Sequence, residues 1–208
     1  MSDPRAGFAD QFNVSRETIE KLEIYASLLR KWNKTINLVS PGTLDTLWVR
    51  HFADSAQLLS LAPQNMRKWA DLGSGAGFPG AVIAVLTESS HPDLTVTLIE
   101  SDQRKATFLR AVARETETSF TVLAERCESA ARLEADVISA RALAPLDVLL
   151  GYVSRHIART GTALLSKGAS AASEVELAEK TWSFTCESIP SMTDTDAAIL
   201  KIGEIKLA

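Results

Sequence analysis

The 208-residue chain is 46% hydrophobic, enough to bury one substantial core and too short to require two separately cored domains. Its formal net charge of −4 runs against the basic excess of a generic nucleic-acid binder. Cys127 and Cys186 are its only cysteines and share no CxxC spacing, which argues against a disulfide framework and a cysteine metal site; both are expected reduced and at least partly buried.

The opening MSDPRAGFAD has no apolar run behind a basic segment, and no stretch nears the roughly 20 apolar residues that span a bilayer. A soluble cytoplasmic protein, monomeric and without a metal, is expected. From Ser15 to Trp32, Ile19, Leu22, Ala26 and Leu29 recur at helical spacing behind Ser15 as N-cap. A polar linker, WNKTINLVSPG, is punctuated by Pro41 and Gly42, and a second helix is predicted over 43–61 with Leu44, Trp48, Phe52 and Leu59 inward. Residues 1–66 thus read as a helical extension packed on a core of residues 67–208, the two forming one structural unit.

From Lys68 the pattern changes. WADL, LTVTLIE and SFTVLA read as strands separated by the helical runs GAVIAVLTE and RKATFLRAVARE, which implies crossover connections and a mostly parallel sheet. ADVISA, TALLSK, WSFTCESI and AAILKIGEI add four strands, with helices near 145–159 and 171–180. The last two strands lack a helix between them, so the sheet should end in an antiparallel hairpin. Charge is divided: residues 169–208 hold seven acids against three bases, leaving 19 of each sign before them. Arg141, Arg155, Arg159 and Lys167 face only Asp147 in sequence, so a local basic face and ordinary solvated helix charge are both open readings.

Asp71 to Gly80, DLGSGAGFPG, lies where the first strand turns into a helix, the place at which a doubly wound sheet opens a ligand crevice. Gly73, Gly75 and Gly77 follow a G-x-G-x-G spacing, and Phe78 stands where the dinucleotide fingerprint wants its third glycine. Glycine admits positive φ and close backbone approach, which suits an adenosyl cofactor that lacks a pyrophosphate. Glu100 ends the second strand, where a carboxylate can accept both ribose hydroxyls. Together they point to S-adenosylmethionine.

This loop, with WNKTINLVS at 32–40 and RHFADS at 50–55 before it, resembles the bacterial RsmG (GidB) family of small-subunit ribosomal RNA guanine-N7 methyltransferases. ESDQRKATFL at 100–109, RCE at 126–128, SARALAPL at 139–146 and KG at 167–168 follow in family order. The resemblance implies a Rossmann-like α/β fold with a seven-stranded, mostly parallel sheet and an N-terminal helical cap. It also implies methyl transfer to N7 of a guanine in the 530-loop region of 16S rRNA, within the small ribosomal subunit. Carried over by motif, the cofactor would meet Asp71, Gly73, Gly75, Gly77 and Phe78 at the loop, Glu100 at the ribose, Cys127 and Glu128 beside adenine, and Arg141 near the donor end. Cys127 replaces an alanine usual in the family, a change that a backbone contact tolerates.

Neither Pro-Pro nor Pro-Cys occurs, so the usual devices for methylating an exocyclic amine or pyrimidine C5 are missing. Guanine N7 needs neither: it carries a lone pair and no proton, and can attack a sulfonium methyl directly without a general base. Arg141, at the end of the fourth strand, is the first choice for holding guanine or donor, by O6 or a phosphate; the alternative is a salt bridge that only orders its loop. His51, Asp54 and Ser55 share a helical stripe beside Arg50. They are too close together for a hydrolase triad, which leaves an RNA-facing or capping role. Lys34, Arg104, Lys105 and Lys167 are further candidates for RNA contact, Arg104 and Lys105 because cations at a helix start suggest an anionic partner. Asn33 and Asn37 are read as ordering their loop, and Trp32, Trp48 and Phe52 as packing. Two other classes compete: an NAD-dependent oxidoreductase, opposed by Phe78, and a non-catalytic RNA-binding assembly factor.

Overall fold

A computed structural model describes residues 3–208. The strands are β1 (Lys68–Leu72), β2 (Thr95–Ile99), β3 (Thr121–Leu123), β4 (Ala135–Arg141), β5 (Ile157–Lys167), β6 (Trp182–Pro190) and β7 (Ala198–Leu207). They form one sheet in the order β3-β2-β1-β4-β5-β7-β6. The first five run parallel, and β7 is antiparallel to both β5 and β6, as the missing last helix led one to expect. The sheet order reverses between β1 and β4, which makes the carboxyl ends of those two strands the switch point where α/β sheets bind ligands.

Alternation along the strands assigns the two faces. Trp69, Val137, Leu164 and Ile199 face one core with α4 (Gly80–Thr87) and α5 (Gln103–Glu115), while Ala70, Leu72, Ile138 and Leu165 face another with α6 (Leu146–His156) and α7 (Ala171–Ala178). Two residues beyond Ser139 on β4, Arg141 falls on the Val137 side by the same period of two. That side is covered by the N-terminal segment, whose Leu22, Tyr25, Leu29 and Phe52 share the core of α4 and α5.

The segment itself departs from expectation. α1 (Pro4–Phe12), which periodicity did not reveal, buries Phe8, and α2 (Arg16–Trp32) starts where predicted, with Ser15 Oγ accepting from the Thr18 amide. The helix expected over 43–61 is instead a series: a 3₁₀ turn at Pro41–Thr43, a π-helix at Trp48–Ala53, a short α3 (Asp54–Ala56) and a 3₁₀ turn at Gln57–Leu61. The wide π turn lets neighbouring residues serve two surfaces. Trp48 and Phe52 pack edge to face in the core at 5.0 Å, while His51 stacks on Phe78 at 4.7 Å. Cys127 is buried as expected, but Cys186 is exposed, because β6 is an edge strand. No helix among the described residues is long and apolar enough to cross a membrane.

Candidate active site

The glycines of the β1–α4 loop have different reasons to be glycine. Gly73, Gly75 and Gly77 hold φ of 64, 58 and 90°, a region other residues enter only with strain. At Gly77 a side chain would strike the Tyr25 hydroxyl and lie 2.8 Å from the Ala81 β-carbon, so internal packing demands this glycine. At Gly75 a β-carbon would meet only the Gly73 carbonyl, at 3.9 Å, leaving a cradle open to a ligand. Phe78 is buried between rings, stacked on Tyr25 at 5.5 Å and on His51 at 4.7 Å. Asp71 lies beneath the loop, fully buried, with Oδ1 accepting from Ser139 at 2.7 Å; Ser139 in turn accepts from Trp69 Nε1 at 2.8 Å. Burial pushes Asp71 up to about 6 against the pull of these bonds.

Glu100, one residue past β2, fits a ribose. Its Oε2 accepts the Gly75 amide at 2.8 Å and its Oε1 the Asp102 amide at 2.7 Å, which fixes the carboxylate and leaves each oxygen a further lone pair for a hydroxyl donor. The turn carrying Cys127 is clamped from the end of α6. His156 bonds the Cys127 carbonyl through Nε2 at 2.8 Å, and Arg155 donates twice to the Ala130 carbonyl. Burial pushes the Cys127 thiol up to about 11, with the Glu128 carboxylate adding to it and the Gly73 backbone opposing it. The glycine loop, Glu100 and the Cys127 turn therefore meet, and this donor set fits an S-adenosyl nucleoside.

Over the ends of β4 and β5 opens a cavity of about 1060 Å³, whose lining includes none of Gly75, Glu100 and Cys127. Ala142, at φ 51°, turns the chain so that Leu143 packs over Gly73 and also lines the cavity. Arg141 lines it as well. Its guanidinium lies 5.1 Å from the Phe78 ring centroid, donates to Asp54 Oδ2 at 3.1 Å and to the Arg50 carbonyl at 3.3 Å, and bonds His51 Nδ1 at 3.0 Å. An arginine can only donate, so His51 Nδ1 is the acceptor. The proton then sits on Nε2, which donates to Thr43 Oγ1 at 2.9 Å, and Thr43 passes its own proton to the Ser40 carbonyl at 2.8 Å. Burial first, then Arg141 and Arg50, lower His51 to about 3, and it stays neutral.

A family model described as "GidB: rRNA small subunit methyltransferase G" matches residues 18–200. The chain belongs to this family. It is 49% identical over 206 residues to the ribosomal RNA small subunit methyltransferase G of Ruegeria sp. (strain TM1040), covering 99% of each chain. It is 51% identical over 198 residues to that of Rhodospirillum centenum, covering 95% of this chain and 89% of the relative. Among solved structures it is similar to the O-methyltransferase from Bacillus cereus in complex with SAH, at a TM-score of 0.57, 12% identity and 92% coverage of each chain. A TehB-like SAM-dependent methyltransferase from Corynebacterium glutamicum matches at a TM-score of 0.56 and 15% identity, over 87% of this chain and 96% of that one. The fold is thus the Rossmann-like one of S-adenosylmethionine-dependent methyltransferases, and family membership decides against the dehydrogenase alternative.

Within the methyltransferase G frame, the RHFADS motif lies at the cavity: Arg50, His51 and Asp54 line it, whereas Ser55 is buried and donates to the His51 carbonyl at 2.6 Å. Ser55 is therefore a backbone brace, not an RNA contact. Lys167 lines the cavity, but its ammonium is spent on Glu174 at 2.7 Å and the Ala144 carbonyl at 2.8 Å, where it orders the loop after β4. Arg104 and Lys105 are not misplaced cations: Asp102 caps α5 by accepting both their amides and pairs with the Arg104 side chain. They lie outside the cavity lining, as does exposed Lys34. Asn33 orders its loop through three bonds to the backbone of Leu38 and Val39, as read, while exposed Asn37 lines the cavity. Sequence reasoning missed Thr43, His156, Glu174 and the 191–197 loop. His156 left a faint signal as a polar residue closing an amphipathic helix, and the others left none.

Proposed function

We propose that the chain transfers a methyl group from S-adenosylmethionine to N7 of a guanine in the 530-loop region of 16S rRNA, acting as a cytoplasmic monomer on the small ribosomal subunit. One observation carries this reading: among the described residues, none that touches Arg141 is free to act as a base. Both ring nitrogens of His51 are committed, one as acceptor from Arg141 and one as donor to Thr43, and the ring is held neutral at about 3. Asp54 is paired to Arg141 and Glu174 to Lys167, while Asp194, paired to Arg50, is the most exposed of the three acids and makes no bond to Arg141. Asp71, pushed up to about 6, lies fully buried beneath the loop. An acceptor at Arg141 that must lose a proton would find nothing there to take it; guanine N7 has none to lose.

When bound, S-adenosylmethionine supplies an electrophilic sulfonium methyl. Glu100 would hold the ribose, Gly75 would let the backbone approach, and the Cys127 turn would flank adenine. The remaining task is alignment and exclusion of water. Arg141 is suited to it because Asp54, His51 and the Arg50 carbonyl fix its plane against Phe78, and a guanidinium so fixed can present a free N–H edge to guanine O6. It leaves N7 unprotonated.

The test uses small subunits from cells lacking this gene, incubated with the protein and methyl-labelled donor, followed by mapping of the label. One guanine labelled at N7 is expected, with assembled subunits better than naked RNA. Label on an exocyclic amine or pyrimidine carbon would overturn the reading, and binding without any transfer would favour the non-catalytic assembly factor.

A further inference from the structure

Three cations and three carboxylates line the cavity, and each cation holds one carboxylate. Arg141 pairs with Asp54 at 3.1 Å, Lys167 with Glu174 at 2.7 Å, and Arg50 with Asp194 at 2.5 Å. With His51 neutral, the cavity has no net charge. That is a poor reception for a polyanion, whose binding draws on cations free to meet phosphate. Opening one of the pairs would free a whole cation for it.

The three differ in how firmly they are built. Lys167 is 9% exposed and has a second partner in the Ala144 carbonyl. Arg141 is 23% exposed and has three partners besides the ring beneath it. Arg50 is 47% exposed and Asp194 32%, and among the described residues the Arg50 guanidinium has no hydrogen-bond partner except that carboxylate. The 191–197 loop does not depend on the pair for its position. Thr193 Oγ1 donates to Asp54 at 2.9 Å, the Met192 amide to Gln57 Oε1 at 2.9 Å, and Gln57 Nε2 to Ser191 Oγ at 3.2 Å.

Resting on the reading of the acceptor as RNA, we infer that Asp194 is a built-in stand-in for an RNA backbone phosphate at Arg50. In the free protein its Oδ2 accepts from Arg50 Nη1 while its Oδ1 accepts the Asp196 amide, so it holds one edge of a guanidinium that suits carboxylate and phosphate alike. On binding, a phosphate displaces it, and the cavity changes from neutral to phosphate-accepting. Asp194 is then left as a fixed negative charge beside the phosphate. Stray polyanions are disfavoured, and only an RNA with further contacts in the cavity opens the pair. The bond from Arg50 also holds the Asp194 carboxyl below the usual carboxylate range, so the stand-in stays charged at neutral pH.

The experiment compares wild type, Asp194→Asn, Arg50→Gln and the double variant for binding to small subunits from cells lacking the gene, over a potassium chloride series, with labelled-methyl transfer measured in parallel. Asp194→Asn is expected to tighten binding about two- to fivefold, the range of an exposed ion pair. Arg50→Gln should weaken binding and reduce the slope of log K against log salt by about one. In the Arg50→Gln background, Asp194→Asn should add little. Unchanged or weaker binding by Asp194→Asn at an unchanged melting temperature overturns the inference. So does an equal gain with Arg50 already removed, since the acid would then act by general repulsion. Wild-type binding without methyl transfer would sink the methyl-transfer reading alone, because the binding comparison still judges the stand-in; failure of the wild type to bind would overturn both.

Discussion

Asp71→Asn should change how stability depends on pH, by an amount set by burial. The wild-type carboxyl is fully buried and raised to about 6 from an ordinary 3.8, chiefly by desolvation, with Ser139, Ser74 and Gly80 only partly offsetting it. A shift of about two units corresponds to about 3 kcal/mol. Between about pH 4 and 6 the folded protein binds this proton and the unfolded chain does not. The Asp71 contribution is therefore fully present below about 4, lost as the pH rises through 6, and flat above. His51 works with the opposite sign: held at about 3 against an ordinary 6.5, it supports the fold above 6.5 and withdraws that support as the pH falls. The wild-type curve is thus a sum of opposed titrations, and the difference from the asparagine variant isolates Asp71. Asparagine can still accept the Ser139 bond. In urea unfolding at constant ionic strength, the variant's stability relative to wild type should rise by up to about 3 kcal/mol between pH 4 and 7. A difference constant to within about 0.5 kcal/mol, comparable to the extrapolation error, would refute the assignment of a raised, buried carboxyl beneath the glycine loop.

Arg141→Ala should cut methyl transfer strongly while leaving the fold intact, at a stability cost of about 2 kcal/mol for the lost charge-assisted bonds. In that variant the His51 ring should titrate higher than about 3 yet still below 6.5, because burial is its first cause and Arg141 its second; histidine ring resonances followed against pH report this. Gly75→Ala and Gly77→Ala should separate a ligand glycine from a packing glycine. Both incur about 1–2 kcal/mol of backbone strain, but only at 77 does the new methyl meet Tyr25 and Ala81, for a total near 4 kcal/mol. Gly75→Ala should melt only a few degrees below wild type and lose donor affinity by calorimetry, whereas Gly77→Ala should melt far lower. His156→Ala leaves the Cys127 carbonyl without its bond, so KM for the donor should rise several-fold with kcat little changed in steady-state kinetics.

What could be read in advance divides by the range of the interaction. The positions of the glycine loop, Glu100 and Arg141 were legible because each depends on its own strand end: a turn needing positive φ, an acid one residue past β2, a cation closing β4. The same local logic misjudged 43–61, since a 3.6-residue period cannot show that His51 and Phe52 are wanted on two surfaces, the demand that the π turn meets. It also gave no sign that Gly77 lies against Tyr25, 52 residues earlier in the chain. Partners so distant leave no spacing in one sequence.

Charge shows the consequence most clearly. Counting signs made residues 169–208 an acidic tail and the whole chain an unpromising partner for RNA, with Asp194 one surface acid among seven. The fold brings that acid across 144 positions to Arg50, in the lining of a cavity whose other charges are also matched in pairs. Net charge is indifferent to whether opposite signs are dispersed in solvent or paired at a site, yet only the second arrangement can be switched. A pair that opens to phosphate alters the field at the cavity without altering the sum, so the −4 of the chain and an anionic substrate are compatible as soon as the most exposed of the three pairs is free to exchange its carboxylate.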